Sequence, residues 1–309
     1  MQLWNALSEV PADFGATAVT IGKYDAIHLG HAFLLNKLNA TASQRAIRSV
    51  VVTFNQHPLE VLQPGKAPLP ILGPTQKLHR LEECGVDAVL NLDFTPELAA
   101  MSPEQFVQHI LVDALHAEVV MVGEGFRFGA GAKGDCETLA GLAQQHGFGF
   151  EAVARYVLDG EVVSTSAIRN ALDVGDISHA AKLLGRPHLT TGTVEHGLKI
   201  GRTIGFPTAN ISRDAEGYLP LDAVYAGWMH VDGEKLPTAI SIGINETFQA
   251  VPRLAEAFVI DRTGLDLYDK LVTLEYVQFI RPAAKFTGVE DLVAEINRDI
   301  EKIRTVLEI

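Results

Sequence analysis

Short apolar runs alternate with amphipathic stretches through the first half of the chain. The runs at residues 17–21, 49–54, 88–92, 119–122 and 150–154 are short and rich in Val, Ala and other apolar residues, and they predict buried strands. Helical spacing predicts helices at 30–39, 75–84, 103–115 and 137–146. In the third of these Phe106, Ile110 and Leu111 share a face, and Ser102 before Pro103 is placed to cap it. Such alternation implies a parallel sheet covered by helices, which receives ligands beyond the carboxyl ends of its strands. Two short helices follow at 166–172 and 177–184, and Gly185-Arg186-Pro187 ends the pattern. From His188 onward, β-branched and aromatic runs at 189–195, 224–231, 238–244, 257–260 and 272–279 alternate with Gly, Asp, Asn and Pro. That pattern predicts an antiparallel sheet or small barrel. Val289, Leu292, Val293, Ile296, Ile300 and Ile303 then recur along a terminal helix. The expected architecture is an α/β domain over residues 1–185 and a small antiparallel β-barrel domain with a C-terminal helix over 186–309.

A length of 309 residues suits two domains, and 47% hydrophobic with 20% charged residues suits a globular protein. The net charge of −13 divides into −8 for residues 1–185 and −5 for 186–309. Neither half carries the positive field that nucleic acid or an anionic membrane surface requires. A small anionic ligand stays open, because backbone amides and a metal ion can bind it. The charge leaves self-association open as well. Cys84 and Cys136 lie far apart with no C-x-x-C, which argues against a disulfide framework or a cysteine zinc site and for a reducing compartment. The start lacks a basic stretch before an apolar run, and no apolar stretch approaches the ~20 residues that cross a bilayer. A soluble, cytoplasmic protein is expected.

The first strand runs into Gly22-Lys23-Tyr24-Asp25-Ala26-Ile27-His28-Leu29-Gly30-His31 and then a helix. Gly30 lets a phosphate approach the backbone, and the helix start adds amide donors and a favourable dipole. His28 and His31 are placed to donate hydrogen bonds as charge builds on phosphate oxygens. Taken alone, an H-x-x-H pair is more often two surface or core histidines, and no nearby Cys/His cluster completes a zinc set. A second element, Ser164-Thr165-Ser166-Ala167-Ile168-Arg169, opens a helix after the last strand. Its hydroxyls and amides suit outer phosphates, with Arg169 as a cation; by itself it is an N-cap. Paired with the first turn, it reads as the second jaw of one cleft.

In the second half, Gly201-Arg202-Thr203-Ile204-Gly205-Phe206-Pro207-Thr208-Ala209-Asn210 is a glycine-bracketed loop entering a β-segment. Thr208 and Asn210, two apart, share a strand face, and their oxygens suit Mg²⁺. A plain β-turn remains open at this point. Glu256 precedes an apolar strand free of charge, where it is either an exposed strand-end carboxylate or a general base.

The H-x-G-H turn and the Ser164–Arg169 run resemble elements of the nucleotidyltransferase superfamily. More narrowly, residues 22–31, Thr53-Phe54 with His57-Pro58, and 123–135 resemble the adenylyltransferase module of bacterial bifunctional riboflavin kinase/FAD synthetases. The 201–210 loop resembles the G-R-x-I-G-F-P-T-A-N signature of riboflavin kinases. It is followed by Val224-Tyr225-Ala226-Gly227, Ser241-Ile242-Gly243 with Asn245, Asp266-Leu267-Tyr268, and Arg281-Pro282 with Lys285-Phe286. The resemblance spans essentially the whole chain. It implies a Rossmann-like nucleotidyltransferase domain that joins FMN to the adenylyl group of ATP, and a barrel that phosphorylates riboflavin with ATP and Mg²⁺. By the same resemblance His28 and His31 stabilise the transition state and Glu256 is the kinase base. Gly22, Asp25, Gly30, Ser164, Thr165, Ser166 and Arg169 bind nucleotide in the first domain, and Gly201, Gly205 and Pro207 in the second. His57, Phe126, Phe128 and Arg281 fall to the flavin, and Thr208 and Asn210 to the metal. The implied ligands are riboflavin, FMN, FAD and ATP, with neither nucleic acid nor membrane.

The chain departs from this pattern at several positions. Tyr24 and Ala26 replace Phe and Gly, Thr165 and Ser166 are swapped, and Gly125 stands for Asp or Asn. Glu246 follows Asn245 where Pro is usual, and Asp269 follows Tyr268 where Gly is common. Ala26 would cost affinity if that residue needs φ > 0 or must admit a ligand, and Gly125 removes a polar flavin contact. Two alternatives therefore stand: a riboflavin kinase whose first module has lost or changed its transfer activity, and a non-catalytic flavin sensor.

Overall fold

The computed structural model describes residues 1–197, 201, 204–243 and 253–309; Arg202, Thr203, Asn245 and Glu246 lie outside the described residues, as does the end of the 238–244 run. The chain divides into two compact units: Met1–Pro70 with Pro74–Val163, and Ile71–Gly73 with Ser164–Ile309.

The first unit holds strands β1 (Gln2–Trp4), β2 (Thr17–Ile21), β3 (Arg48–Phe54), β4 (Ala88–Leu92), β5 (Ala117–Gly123) and β6 (Gly149–Val153). All neighbours are parallel, in the order β1-β4-β3-β2-β5-β6. The order reverses between β2 and β5, which opens a crevice at their carboxyl ends. Helices α1 (Leu29–Arg45), α2 (Pro58–Leu62), α3 (Pro74–Glu83), α4 (Pro96–Ala100), α5 (Pro103–Phe106) and α6 (Cys136–His146) connect the strands. Alternation along each strand divides the core into two layers. Ala18, Val119 and Met121 meet Leu34, Leu38 and Ala42 of α1 on one face. Val19, Ile21, Val120 and Val122 meet Phe106, Ile110, Leu111 and Leu139 on the other. Ser102 closes a capping box with Gln105 at the start of α5. The helix expected over 103–115 is α-helical only to Phe106 and winds more widely, in π fashion, over Val107–Ala114. Beyond β6, β7 (Val157–Leu158) and β8 (Glu161–Val162) form a hairpin. Its turn residues Asp159 and Gly160 have φ of 50° and 85°, as a two-residue type I′ loop demands.

The second unit contains α7 (Thr165–Asp173), α8 (Ile177–Leu184), and strands β9 (His188–Glu195), β10 (Ala209–Ile211), β11 (Ala223–Val231), β12 (Glu234–Gly243), β13 (Leu254–Val259) and β14 (Leu271–Pro282). The strands close a barrel in the order β10-β13-β12-β11-β14-β9, every pair antiparallel. Closure leaves none of these six strands with an open edge to pair with another chain. Helix α9 (Val289–Leu307) lays Ile300, Ile303 and Leu307 on Val224, Ala226 and Ile260. Helices α7 and α8 precede residue 185 yet belong to this unit. Helix α8 packs on β9 and β14, and the Tyr218 hydroxyl donates to Asp173 at 2.6 Å.

Candidate active site

Strand β2 delivers the 22–31 turn into the crevice where the strand order reverses. Two residues of this turn take left-handed backbone, Tyr24 at φ 49° and Ile27 at 43°. Tyr24 is buried, with its hydroxyl 2.8 Å from Thr20 Oγ1. Burial pushes its phenol well above the ordinary range, so it stays neutral. Ala26 is fully buried and is not among the positive-φ residues, so alanine at 26 imposes no left-handed strain.

His28 caps α1, its Nδ1 accepting the His31 N–H at 3.2 Å. A neutral imidazole that accepts at Nδ1 carries its proton on Nε2 and is a donor there. The two rings stack 3.8 Å apart at 16°, a separation at which two imidazolium charges repel. A Cβ at Gly30 would fall 3.1 Å from both Cε1 and Nδ1 of His28, so the glycine lets the imidazole close over the helix start. The strands on either side complete a cleft of about 270 Å³. Gly123, Glu124, Gly125 and Phe126 come from the end of β5, and Ala154, Arg155 and Tyr156 from the end of β6.

Gly22, Gly30, His28, His31 and Phe126 line this cleft together. Phe128 does not: it is 6% exposed, packed against Phe106 and Phe126, and belongs to the core. His57 also lies elsewhere. It caps α2, accepting the Leu59 N–H at 3.1 Å, and its Nε2 is 3.3 Å from Lys23 Nζ. Asp25 neighbours the buried Lys77, which donates to the Phe54 carbonyl at 2.5 Å. Burial pushes that ammonium below its usual range, and the Asp25 carboxylate opposes the shift. Ser164 caps α7 by accepting the Ala167 N–H at 3.1 Å. With Thr165, Ser166 and Arg169 it falls in the second unit, where the Arg169 guanidinium lies 5.5 Å from the Tyr218 ring centre.

In the barrel, the register sets Glu256 of β13 opposite Asn210 on one side and Ser241 on the other. The Thr208 hydroxyl donates to Glu256 Oε2 at 3.3 Å. Thr208, Ser241, Glu256, Phe206, Phe258 and Arg281 line a cavity of about 250 Å³. The loop that brings Thr208 there closes on itself through Phe206 N–H to Gly201 O at 2.8 Å. A Cβ at Gly201 would stand 2.2 Å from the Phe206 carbonyl oxygen, which reserves the position for glycine. Gly205, at φ 92°, turns the chain toward Pro207. Asn210 pairs beside Glu256 on the ladder but is not among the residues lining the cavity. Arg281 is tied to α9 by two bonds from Nε to the Asp299 carboxylate, at 3.1 and 2.9 Å, and Asp299 is 3% exposed.

The hydroxyl of Thr208 and the Glu256 carboxylate are hard oxygens held together, a donor set that fits Mg²⁺. Among the described residues no group of three or more His, Cys, Asp or Glu gathers to hold a metal, so a cation here would draw further ligands from phosphate and water. Sequence reasoning passed over Arg155 and Lys77. Arg155 had a signal: it follows the carboxyl end of a parallel strand. Lys77 had none, because its burial depends on packing against other strands.

A switch-point turn on a parallel sheet, followed by a closed barrel with a carboxylate in its cavity, defines a two-module protein for phosphate-bearing ligands. Family models agree with this order, FAD synthetase over residues 10–167 and riboflavin kinase over 184–307. The bifunctional riboflavin kinase/FMN adenylyltransferase of Escherichia coli strain K12 is 35% identical over 294 residues, covering 95% of this chain and 93% of the relative. That of Pseudomonas fluorescens is 35% identical over 307 residues, covering 99% and 98%. The chain belongs to the bifunctional riboflavin kinase/FMN adenylyltransferase family. A crystal structure described as a macrolide-efflux protein from Streptococcus pneumoniae is also similar, at 30% identity, TM-score 0.87 and 98% coverage of both chains. In the present chain, among the described residues, no helix is long and apolar enough to cross a membrane.

Proposed function

We propose that the chain makes FAD in two steps. The barrel transfers the γ-phosphoryl group of ATP to riboflavin, and the α/β module joins the resulting FMN to the adenylyl group of a second ATP, releasing pyrophosphate. The observation that carries this reading is that one chain matches both family models in order, each over a module with its own lined cavity.

In the kinase step Glu256 accepts the proton of the riboflavin primary alcohol as its oxygen attacks the γ-phosphorus. The contact from Thr208 orients that carboxylate. From the cavity wall Thr208 would hold Mg²⁺, which when bound screens phosphate charge; for Asn210, beside Glu256 on the ladder but not lining the cavity, we keep the metal role on the resemblance of its sequence. Gly201, Gly205 and Pro207 shape the nucleotide loop, while Arg281 braces the flavin side of the cavity through Asp299. In the transfer step the FMN phosphate is already a competent nucleophile, so the protein needs no base. His28, as the Nε2–H tautomer, and His31 donate to oxygens that gain charge at the α-phosphorus. Gly22 and Gly30 leave room for the triphosphate, and Phe126 offers a face to the flavin. Asp25, His57 and Phe128 act from behind this surface, holding the turns that form it. For Ser164, Thr165, Ser166 and Arg169 we keep the role of phosphate ligands, on the resemblance of their sequence. We keep residues 1–185 and 186–309 as the functional modules, and the gap between the family models, 167 to 184, supports a boundary in that region. Cys84 and Cys136 are not joined in a disulfide, which suits the reducing cytoplasm.

Incubating the pure protein with riboflavin and MgATP, and resolving flavins over time by chromatography, tests this reading. FMN should rise first and FAD should follow. FMN without any FAD would favour the kinase-only alternative, and absence of both would favour the sensor. The backbone at Ala26 meets the conformational ground for the kinase-only alternative, while the ground of room for a ligand there stands beside the loss at Gly125.

A further inference from the structure

We propose that Arg155 is a phosphate-binding residue of the α/β cleft and sets how tightly a phosphate-bearing substrate is held there. This rests on the transferase reading above. Arg155 follows the carboxyl end of β6 and lines the cleft that holds His28, His31 and Phe126. Its guanidinium lies across Gly125, where a Cβ would come 3.3 Å from Nη2. The bare backbone at 125 is the floor on which this cation rests, and a side chain there would push it aside or bind it.

Three other arginines of the same unit are engaged: Arg80 pairs with Glu83, Arg127 pairs with Asp135, and Arg48 covers the Phe14 ring. Arg45, in the last turn of α1, does not line the cleft. Arg155 has no ion pair or hydrogen bond among the described residues, although Glu124 lines the same cleft. The guanidinium is exposed to arriving ligand, and it stands in a cleft that already holds two imidazoles and a helix start. A planar fork of donors with no protein acceptor, in such a place, matches two oxygens of one phosphate. The phosphate has two sources, the mononucleotide acceptor and the triphosphate donor.

FAD formation by the full chain separates them. Rates are measured with FMN varied at saturating MgATP, and the reverse, for wild type, Arg155→Ala and Arg155→Lys. Arg155→Ala should raise one KM by about ten- to a hundredfold, the usual weight of a charge-assisted contact, with kcat within about threefold. Arg155→Lys should recover part of the loss. A rise in the FMN constant assigns the contact to the mononucleotide phosphate, and a rise in the ATP constant assigns it to the triphosphate. FMN formation from riboflavin in the same samples should be unchanged and reports an intact barrel, while the retained kcat of FAD formation reports a folded α/β unit. Unchanged constants in Arg155→Ala, or a fall in kcat alone, overturn the proposal and leave the transferase reading standing. A wild type that makes no FAD overturns both.

Discussion

Mild acid should loosen the barrel unit through one residue, His188. It opens β9 with its imidazole 2% exposed, its Nε2 2.6 Å from the Tyr218 carbonyl oxygen and its ring stacked on Tyr276. A charged ring there would lose its hydration against aromatic neighbours. Burial accordingly lowers the pKa from 6.5 to about 4, with the bond to the Tyr218 carbonyl opposing the shift. The native state refuses a proton that the unfolded chain accepts. Stability is therefore complete above about pH 6.5 and is lost as the pH falls toward 4. The whole effect is about 3 kcal/mol, of which about 2 kcal/mol is gone at pH 5. That is a large share of the ~5–15 kcal/mol that holds a domain. The chain has two tryptophans, Trp4 in the first unit and Trp228 on β11, so a Trp4→Phe background lets fluorescence follow the barrel alone. Urea unfolding at pH 7 and pH 5 is compared with His188→Gln in that background, whose amide can still donate to the carbonyl but cannot titrate. Wild type should lose about 2 kcal/mol more than the variant between the two conditions. The other histidines of the unit cancel in the difference, and equal losses would refute the reasoning.

Three further outcomes follow from the same structure. Glu256→Gln should slow FMN formation by about 10²-fold or more while FAD formation from supplied FMN continues; equal slowing of both would sink the division of labour. Gly30→Ala presses the His28 ring aside by a few tenths of an ångström and should cut FAD formation by about fivefold with FMN formation intact, as a small misplacement of a catalytic group does. Asp299→Ala leaves Arg281, 16% exposed, without its main partner and should cost about 3 kcal/mol in urea unfolding of the barrel, whereas Asp299→Leu with Arg281→Met should recover much of it.

Most strands were legible because each paired a compact apolar or β-branched run with a turn residue; β2 and β4 match residue for residue. What escaped was too short to show a period. Strand β1 has three residues, β10 has three within a run of Gly, Pro and Thr, and α2 owes its start to a histidine cap rather than to a pattern. The division into units was illegible for another reason: α7 and α8 continue the strand–helix rhythm, and only their packing on the barrel side reveals where they belong. Around the cleft, the histidine turn was readable from its glycines. The contrast between Phe126 in the cleft and Phe128 in the core was not, because two like residues two apart gain different neighbours only once β5 meets α5. Arg155 carried no motif, and its place depends on the empty Cβ position of a residue thirty earlier in the chain.

The stave that completes the barrel is its narrowest: among the described residues β10 meets β13 through Ala209 and Asn210 alone, and β9 through Asn210 and Ile211 alone. That same segment carries the groups beside Glu256. Filling the cavity and latching the cylinder thereby become one equilibrium, so a guest that grips Thr208 or Asn210 should also bolt the seam and slow amide exchange at residues 209–211 before any other strand responds.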